Sequence, residues 1–305
     1  MNKDELIKEI TELKKKRDAI ILTHYYTNGD LQEIADYVGD SYYLSKIARA
    51  ASEKVIVFCG VRFMGESAKI LNPDKIVLMP DEAADCPMAH MVEPWQIEDV
   101  RNTYDDVAVV CYINSTAEIK ALSDVCVTSA NALHIVKALD QSQIYFIPDQ
   151  HLGQYVASKV PEKEFIFNDG FCHVHRSIKK EAVLREKEFR QGVKVLVHPE
   201  CCQEVVDLAD YVGSTTGIIK YASECKDEAF IVCTEIGILH TLQKDNPHKK
   251  FYFVGERREC PSMKRLTLEK LYTALKEMRY EIRLEADKMK HAEKALLEMH
   301  RLAEG

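Results

Sequence analysis

The chain has 305 residues with a formal net charge of −8, and 46% of its residues are hydrophobic and 30% charged. This composition is typical of a globular protein, and the length predicts two or three domains. Lysine and arginine are scattered among acidic residues, so the clustered positive charge that binds nucleic acid is missing. No stretch approaches the roughly eighteen apolar residues of a membrane span. We therefore expect a cytoplasmic protein that binds neither nucleic acid nor membrane and whose ten cysteines stay reduced.

In chain order, the predicted elements form three repeats between two helical ends. Residues 1–18 form a charged amphipathic helix, and residues 264–305 form a C-terminal helical segment. The repeats occupy 19–105, 106–191 and 192–263, and each contains three short apolar runs typical of buried parallel strands. These runs lie at 19–27, 55–60 and 75–81 in the first repeat, at 107–115, 143–148 and 164–169 in the second, and at 193–201, 229–234 and 251–256 in the third.

The repeats share sequence as well as element order. The helical stretch after the first strand contains IADYVGDS, LSDVCVTS and LADYVGST in the three copies. His24, Tyr112 and His198 mark the ends of the first strands, at separations of 88 and 86 residues. Helical segments 94–104 and 174–190 link the repeats. These matched offsets predict an α/β fold of three homologous three-layer α/β/α units, with short parallel sheets, right-handed crossovers and pseudo-three-fold symmetry.

Three of the ten cysteines occupy one position of the repeat. Cys86, Cys172 and Cys260 each follow a third strand, at separations of 86 and 88 residues, whereas the other seven form no such set. Loops at the carboxyl ends of parallel strands converge, so three equivalent loops around one axis would bring three thiolates together. Such a site suits zinc with water as fourth ligand, or a [4Fe–4S] cluster with one iron open. Sulfur-only ligation favours the cluster, but the spacing leaves both alternatives open.

Several short segments, taken in order, carry a resemblance to a known family. They are THYY with IADYVGDS, FMGE, CPMA, YINST, TSAN, CHVH, HPEC, VGSTTG, TEIG and CPSMK, and the resemblance that rests on them runs from about residue 19 to about residue 275. In this set the chain resembles the quinolinate synthases, which make the pyridine precursor of NAD. The resemblance implies that iminoaspartate and dihydroxyacetone phosphate condense to quinolinate with release of phosphate and two waters. It also implies that Cys86, Cys172 and Cys260 hold a [4Fe–4S] cluster.

Polar side chains at the ends of the first strands are the candidates for substrate chemistry. The three strands end in His24 and Tyr26, Tyr112 and Asn114, and His198 and Glu200. A histidine kept only for packing would not need a polar counterpart in the other repeats, so a functional role is favoured. We expect Tyr26 and His24 to transfer protons during triose tautomerisation. Glu200 and His198 are expected to act as a base–acid pair in later proton removals, while Tyr112 and Asn114 orient the intermediate.

The starts of the second helices offer hydroxyl groups. Ser41, Ser129, and Ser214 with Thr215 stand there, and we expect their hydroxyls to cap the helices. A helix N-terminus is also an anion site, and the implied substrates carry carboxylates and a phosphate. The substrate-binding set predicted from the pattern and the resemblance is His24, Ser41, Tyr112, Asn114, Ser129, His198, Glu200, Ser214 and Thr215.

Two other classes of protein fit the cysteine pattern. An iron–sulfur sensor would bind a metabolite without turning it over, and a zinc hydrolase with three cysteine ligands would be colourless. In the enzyme interpretation, the open iron of the cluster acts as a Lewis acid. That interpretation also implies functional coupling to an aspartate-oxidising enzyme that supplies iminoaspartate.

Overall fold

The computed structural model describes residues 1–255 and 259–304. Within these ranges the chain forms three parallel four-stranded sheets, each with its strands in the same order. The first sheet comprises β1 Ala19–His24, β2 Tyr37–Gly39, β3 Val55–Cys59 and β4 Ile76–Leu78; the second comprises β5 Val107–Tyr112, β6 Val125–Val127, β7 Gln143–Ile147 and β8 Glu164–Phe167; the third comprises β9 Lys194–Val197, β10 Tyr211–Val212, β11 Ala229–Cys233 and β12 Lys250–Phe253. The order is β2-β1-β3-β4 and its equivalents, so the predicted fold class is confirmed.

Helices precede, connect and follow these strands. They are α1 Lys3–Arg17, α2 Gly29–Ile34, α3 Ser41–Ala50, α4 Arg62–Leu71, α5 Pro94–Thr103, α6 Ala117–Ala121, α7 Ala132–Ala138, α8 Gln150–Ala157, α9 His173–Arg176, α10 Lys180–Phe189, α11 Gln203–Val206, α12 Thr215–Glu224, α13 Leu239–Asp245, α14 Pro261–Lys264, α15 Leu268–Glu277 and α16 Ala286–Glu304. Short 3₁₀ turns lie at Pro87–His90 and Ile236–Ile238. In the part of the chain that the structure describes, none of the helices has the length and apolar character needed to cross a membrane.

One short edge strand of each sheet (β2, β6 and β10) was not predicted, because helix was expected through all three of these segments. An aspartate directly precedes each of these short strands, and its carboxylate accepts a backbone N–H from the neighbouring first strand. The pairs are Asp36 with Ile21 at 2.8 Å, Asp124 with Val109 at 2.7 Å and Asp210 with Val195 at 2.8 Å. The aspartate N–H in turn donates to the carbonyl of the same partner. Strands of two or three residues are too short to show a period of two, so these hydrogen bonds decide the conformation.

Apolar side chains cover both faces of the first sheet, which explains why its central strands are apolar throughout. All six residues of β1 and all five of β3 are buried. On one face, Leu6 and Ile10 of α1 share a core with Leu271 and Leu275 of α15. The other face packs against α3 and α4, whose apolar residues belong to a core that continues into the second repeat. This is the three-layer arrangement expected of a parallel sheet.

Two of the predicted helical segments are interrupted. The segment predicted as helix over 174–190 is divided into α9 and α10 by residues 177–179, and the C-terminal helical segment predicted over 264–305 is broken between α15 and α16. In that break Ile282 donates to the Val77 carbonyl at 2.8 Å and Met79 donates to the Tyr280 carbonyl at 3.0 Å. An amphipathic pattern cannot reveal this pairing with a distant sheet edge. The last residue of the strand predicted at 251–256 lies outside the described residues.

Candidate active site

The carboxyl ends of strands from all three sheets open into one cavity. It contains about 680 Å³ of atom-free space, a figure that includes the open solvent at its mouth. The polar and sulfur-bearing lining residues are His24, Tyr26, Asp40, Ser41, Met64, Cys86, Met88, Tyr112, Asn114, Thr128, Ser129, Cys172, His175, His198, Glu200, Thr215, Glu235, Cys260 and Met263. Twelve of the thirteen predicted site residues are among them. Convergence at strand ends is what a parallel α/β architecture predicts for a ligand site.

The three equivalent cysteines lie on this cavity in nearly the same backbone conformation. Cys86, Cys172 and Cys260 have φ of −97°, −80° and −82°, and ψ of 115°, 117° and 109°. Each is the N-cap of a short helical turn, and each is half-buried. The cysteines are thus one structural position used three times.

Burial raises the pKa of all three thiols. For Cys86 the neighbouring Cys260 adds to the effect, and for Cys172 the carboxylate of Glu200 does so. Thiolates gathered in one buried cavity repel one another, so a bound cation is needed to hold them deprotonated. All ten cysteines of the chain are free thiols.

A compact group of three possible ligand atoms lies beside this triad. Cys172, His175 and Glu200 each offer an atom, and these atoms lie within 4.8 Å of one another. The contacts are hydrogen bonds: Nδ1 of His175 is 2.6 Å from Oε2 of Glu200 and 3.2 Å from the Cys172 sulfur. Nε2 of the same ring lies 2.9 Å from Oγ1 of Thr234. Because both ring nitrogens have partners, we interpret the group as a hydrogen-bonded chain rather than a metal site.

His24 and His198 adopt the same arrangement in the first and third repeats. Nδ1 of His24 accepts the backbone N–H of Tyr26 at 3.1 Å, and Nδ1 of His198 accepts that of Glu200 at 3.3 Å. Burial lowers the pKa of both imidazoles to about 3. Each ring is therefore neutral near pH 7 and carries its proton on Nε2. His198 directs that N–H to Oγ of Ser129 at 3.2 Å.

The Tyr26 hydroxyl lies between two threonines. It is 3.0 Å from Oγ1 of Thr215 and 3.0 Å from Oγ1 of Thr234. Burial raises its pKa well above the ordinary value, and the nearby charge of Glu200 raises it further. The phenol therefore keeps its proton near pH 7. The His24 ring packs edge-on against Tyr26 with centroids 4.6 Å apart.

Glu200 is a buried carboxylate in a ring of polar partners. Burial opposes its ionisation, but the neighbouring His175 and His198 and the hydroxyl of Tyr112 outweigh this and lower its pKa. Its Oε1 atom is buried and has no hydrogen-bond partner, and the same is true of Oδ1 of Asn114. Both residues line the cavity, so a ligand with N–H or O–H groups would satisfy these acceptors.

The helix-start hydroxyls do not occupy equivalent places. Ser214 is the N-cap of α12, accepting the N–H of Gly217 at 3.1 Å, and it is the one predicted site residue that does not line the cavity. Thr215, the first residue of the helix, does line it. The expectation of capping was wrong for Ser41, because Asp40 caps α3. It was also wrong for Ser129, which lies in the turn before α7, whose N-cap is Asn131.

Four polar residues on the cavity were missed in the sequence. They are Asp40, Thr128, His175 and Glu235. His175 and Glu235 lie in the CHVH and TEIG segments, so the motifs contained them, but neither residue stands at one of the three repeated positions that predicted the site: the third-strand cysteines, the first-strand ends and the second-helix starts. Asp40 and Thr128 directly precede two predicted serines, and a shift of one residue along the same turns would have found them.

The chain matches a family model described as "Quinolinate synthetase A protein" over residues 8–301, a range that includes the three cavity cysteines. The chain belongs to the quinolinate synthetase A family. Members of this family that resemble it along the whole chain are named quinolinate synthase. The relative from Clostridioides difficile (strain 630) is 53% identical over 305 residues, which is 100% of both chains.

Other relatives in the quinolinate synthetase A family have the same name. That of Caldicellulosiruptor saccharolyticus is 50% identical over 303 residues, covering 99% of this chain and 100% of the relative. That of Sulfurihydrogenibium sp. (strain YO3AOP1) is 46% identical over 307 residues, covering 99% of each. The family resemblance and the expected enzymatic class are therefore confirmed.

Proposed function

We propose that the chain condenses iminoaspartate with dihydroxyacetone phosphate to form quinolinate, phosphate and two waters. The observation that carries the proposal is the convergence of three equivalent cysteines and three polar strand ends on one cavity. Membership of the quinolinate synthetase A family supports the same reaction. The buried acceptors on Glu200 and Asn114 suit substrates and intermediates rich in O–H and N–H groups.

The cavity fits a [4Fe–4S] cluster held by Cys86, Cys172 and Cys260. The donor set is three thiols without a matching histidine or carboxylate in the equivalent positions. Because burial raises the pKa of these three thiols, they would become thiolates on binding a cationic group that offsets this effect. When bound, a cluster with three cysteine ligands supplies an open iron that acts as a Lewis acid.

Two pairs of cavity residues are our candidates for the proton transfers. Tyr26 holds a phenolic proton beside a neutral His24, so this pair is our candidate for proton transfer during triose tautomerisation. Glu200 is ionised next to the neutral His198, so Glu200 acts as base and the Nε2–H of His198 as donor in later proton removals.

Anionic groups of the substrates have donors around the cavity wall. We assign this role to the hydroxyls of Ser41, Ser129, Tyr112 and Thr215 and to the amide of Asn114, because all of them line the cavity. Ser214 is assigned a supporting role, since its hydroxyl holds the first turn of α12 beneath Thr215. Location in the cytoplasm and a partner enzyme that supplies iminoaspartate stay predictions of this proposal.

Product formation by the anaerobically purified protein tests the proposal. The protein is incubated with iminoaspartate and dihydroxyacetone phosphate, and quinolinate is detected by chromatography. We expect a brown protein that forms quinolinate and releases one phosphate per product. A brown protein that forms no quinolinate would be the sensor. A colourless protein that contains zinc would contradict the cluster.

A further inference from the structure

Glu235 is a fully buried carboxylate that contacts the loop of the third cysteine. It lies two residues beyond β11, lines the cavity, and has 0% of its surface exposed. Its Oε1 accepts the backbone N–H of Cys260 at 3.0 Å, while Oε2 accepts that of Gly237 at 2.5 Å. The carboxylate therefore joins the end of a central strand to the loop that carries Cys260. None of the proton transfers proposed above uses it.

Lys264 completes the connection from the other end of the same short helix. Its Nζ lies 3.4 Å from Oε1 of Glu235 and donates to the backbone carbonyl of Tyr26 at 2.8 Å. Cys260 is the N-cap of α14 and Lys264 is its last residue. A helix of one turn has little stability of its own, so its conformation depends on such tertiary contacts. The two side chains thus hold both ends of the turn that presents Cys260.

A carboxylate faces the N–H of each of the other two cysteines as well. Asp85 accepts the Cys86 N–H at 2.8 Å. Asp149, 86 residues before Glu235, occupies the equivalent position after β7 and caps α8. Burial raises the pKa of Asp149 well above its ordinary value, while the nearby Cys172 N–H acts in the opposite direction, and Oδ2 of Asp149 has no hydrogen bond of standard geometry. The Glu235 contact is the one in which a single buried carboxylate also binds a lysine of the cysteine's own helix.

We propose that Glu235, paired with Lys264, is a positioning residue that keeps Cys260 in the conformation that binds the cluster. This inference rests on the proposed function, because it assumes that Cys260 is a ligand. Without the carboxylate, the Cys260 N–H and the Lys264 ammonium both lose their buried partner, and the loop moves to conformations that satisfy them elsewhere. Groups that hold a metal ligand in place in this way typically change metal affinity about 10- to 100-fold when removed.

Loss of iron from the loaded protein tests this directly. The proteins compared are wild type, Glu235→Ala, Glu235→Gln, Lys264→Met and the control Asp81→Asn. Asp81 is also nearly buried and pairs with Lys270 at 2.6 Å and Arg265 at 3.1 Å, but contacts no cavity cysteine. Each protein is loaded anaerobically and mixed with an iron chelator, and the decay of visible absorbance is followed. The EPR spectrum of the reduced cluster and the melting temperature of the iron-free protein are also measured.

We expect Glu235→Ala to lose iron about 10- to 100-fold faster than wild type and to show an altered EPR spectrum. Glu235→Gln keeps an acceptor for the Cys260 N–H but loses the ion pair with Lys264. The rates of iron loss of Glu235→Gln and Lys264→Met should therefore lie between those of wild type and Glu235→Ala. Asp81→Asn should lose iron at the wild-type rate. The iron-free melting temperatures of Glu235→Ala and Asp81→Asn should be similar.

Two results would overturn the inference. One is a rate of iron loss in the Glu235 variants equal to that of wild type. The other is faster loss matched by an iron-free melting temperature far below that of the Asp81 control, which would indicate general unfolding. If wild type itself takes up no iron, the proposed function fails. If wild type takes up iron and the Glu235 variants lose it at the wild-type rate, only the inference fails, so the two failures are distinguishable.

Discussion

Nδ1 of His175 lies 2.6 Å from Oε2 of Glu200, and both side chains are almost completely buried. His175 lies in α9, the short helix after β8, and Glu200 follows β9, so this contact joins the second and third repeats at the cavity. Replacing His175 by Leu would leave the charge of Glu200 without its nearest partner. We expect the free energy of unfolding to fall by about 3 kcal/mol, measured by urea denaturation of the iron-free protein.

The matched control for this prediction is an exposed ion pair. Lys220 and Glu224 are 3.8 Å apart, and both side chains are about two-thirds exposed or more. Lys220→Ala should change the free energy of unfolding by less than about 1 kcal/mol. Equal effects of the two substitutions would contradict the role given to His175.

Removal of the Tyr26 hydroxyl separates chemistry from cluster binding. Tyr26→Phe keeps the ring that packs against His24 but removes the proton held between Thr215 and Thr234. We expect normal iron content and a fall in kcat of at least about a hundredfold, measured as quinolinate formation. Tyr25→Phe is the control, because the adjacent Tyr25 does not line the cavity. Undiminished turnover by Tyr26→Phe would reject this assignment.

Ser214 and Thr215 are expected to have different roles despite being neighbours. Ser214→Ala removes the cap of α12 and should lower the free energy of unfolding by about 1 kcal/mol with little change in turnover. Thr215→Val keeps the size of the side chain but removes the hydroxyl that contacts Tyr26, and should lower kcat. The free energy of unfolding and the kcat of each variant are compared with those of wild type. The opposite pattern would restore Ser214 as the substrate ligand.

The buried neutral histidines make stability depend on pH. Burial lowers the pKa of His24 and His198 from 6.5 to about 3, so below pH 6.5 the unfolded chain takes up protons that the folded chain does not. The free energy of unfolding therefore falls as the pH falls, by up to about 1.4 kcal/mol per pH unit for each histidine. Between pH 7 and 5 the Glu200 carboxylate is mostly ionised in both the folded and the unfolded chain and contributes little. Against the effect of burial, chiefly His175 lowers its pKa from 4.5 to about 2, so it adds a further loss of stability only below about pH 4.5.

The histidine contribution is measured as a difference between two proteins. Urea denaturation of iron-free wild type and His198→Gln is compared at pH 7, 6 and 5. The variant should lose less stability over this range than wild type, because one of the histidines whose pKa is lowered by burial is gone. Parallel losses in the two proteins would show that His198 is not the neutral buried group described above.

The repeat made much of this site predictable. Strand ends and third-strand loops at matched offsets converge because parallel strands place their carboxyl ends together, and Cys86, Cys172 and Cys260 could be found by counting. Matched offsets between the repeats predict the role of a residue within a turn less reliably. Ser214 and Ser41 are 173 residues apart and similar in context, yet one caps its helix and the other is its first helical residue.

Features that depend on contacts between distant segments had no signal in the pattern. The edge strands β2, β6 and β10 form because an aspartate binds the neighbouring strand, not because of alternating apolar residues. The break before α16 depends on backbone hydrogen bonds that join Ile282 to Val77 of β4 and Tyr280 to Met79 just after that strand. Glu235 accepts the backbone N–H of Cys260, which lies 25 residues further along the chain, so the TEIG segment alone does not predict this hydrogen bond.

Iron content in a cysteine-to-serine series tests the central claim most directly. Wild type, Cys86→Ser, Cys172→Ser, Cys260→Ser and the control Cys202→Ser are loaded anaerobically, and iron, sulfide and quinolinate formation are measured. Cys202 is half-buried and lies outside the cavity. We predict about four irons per chain and full activity in wild type and the control, and loss of both in each of the other three. A full complement of iron and undiminished quinolinate formation in Cys172→Ser would contradict the account.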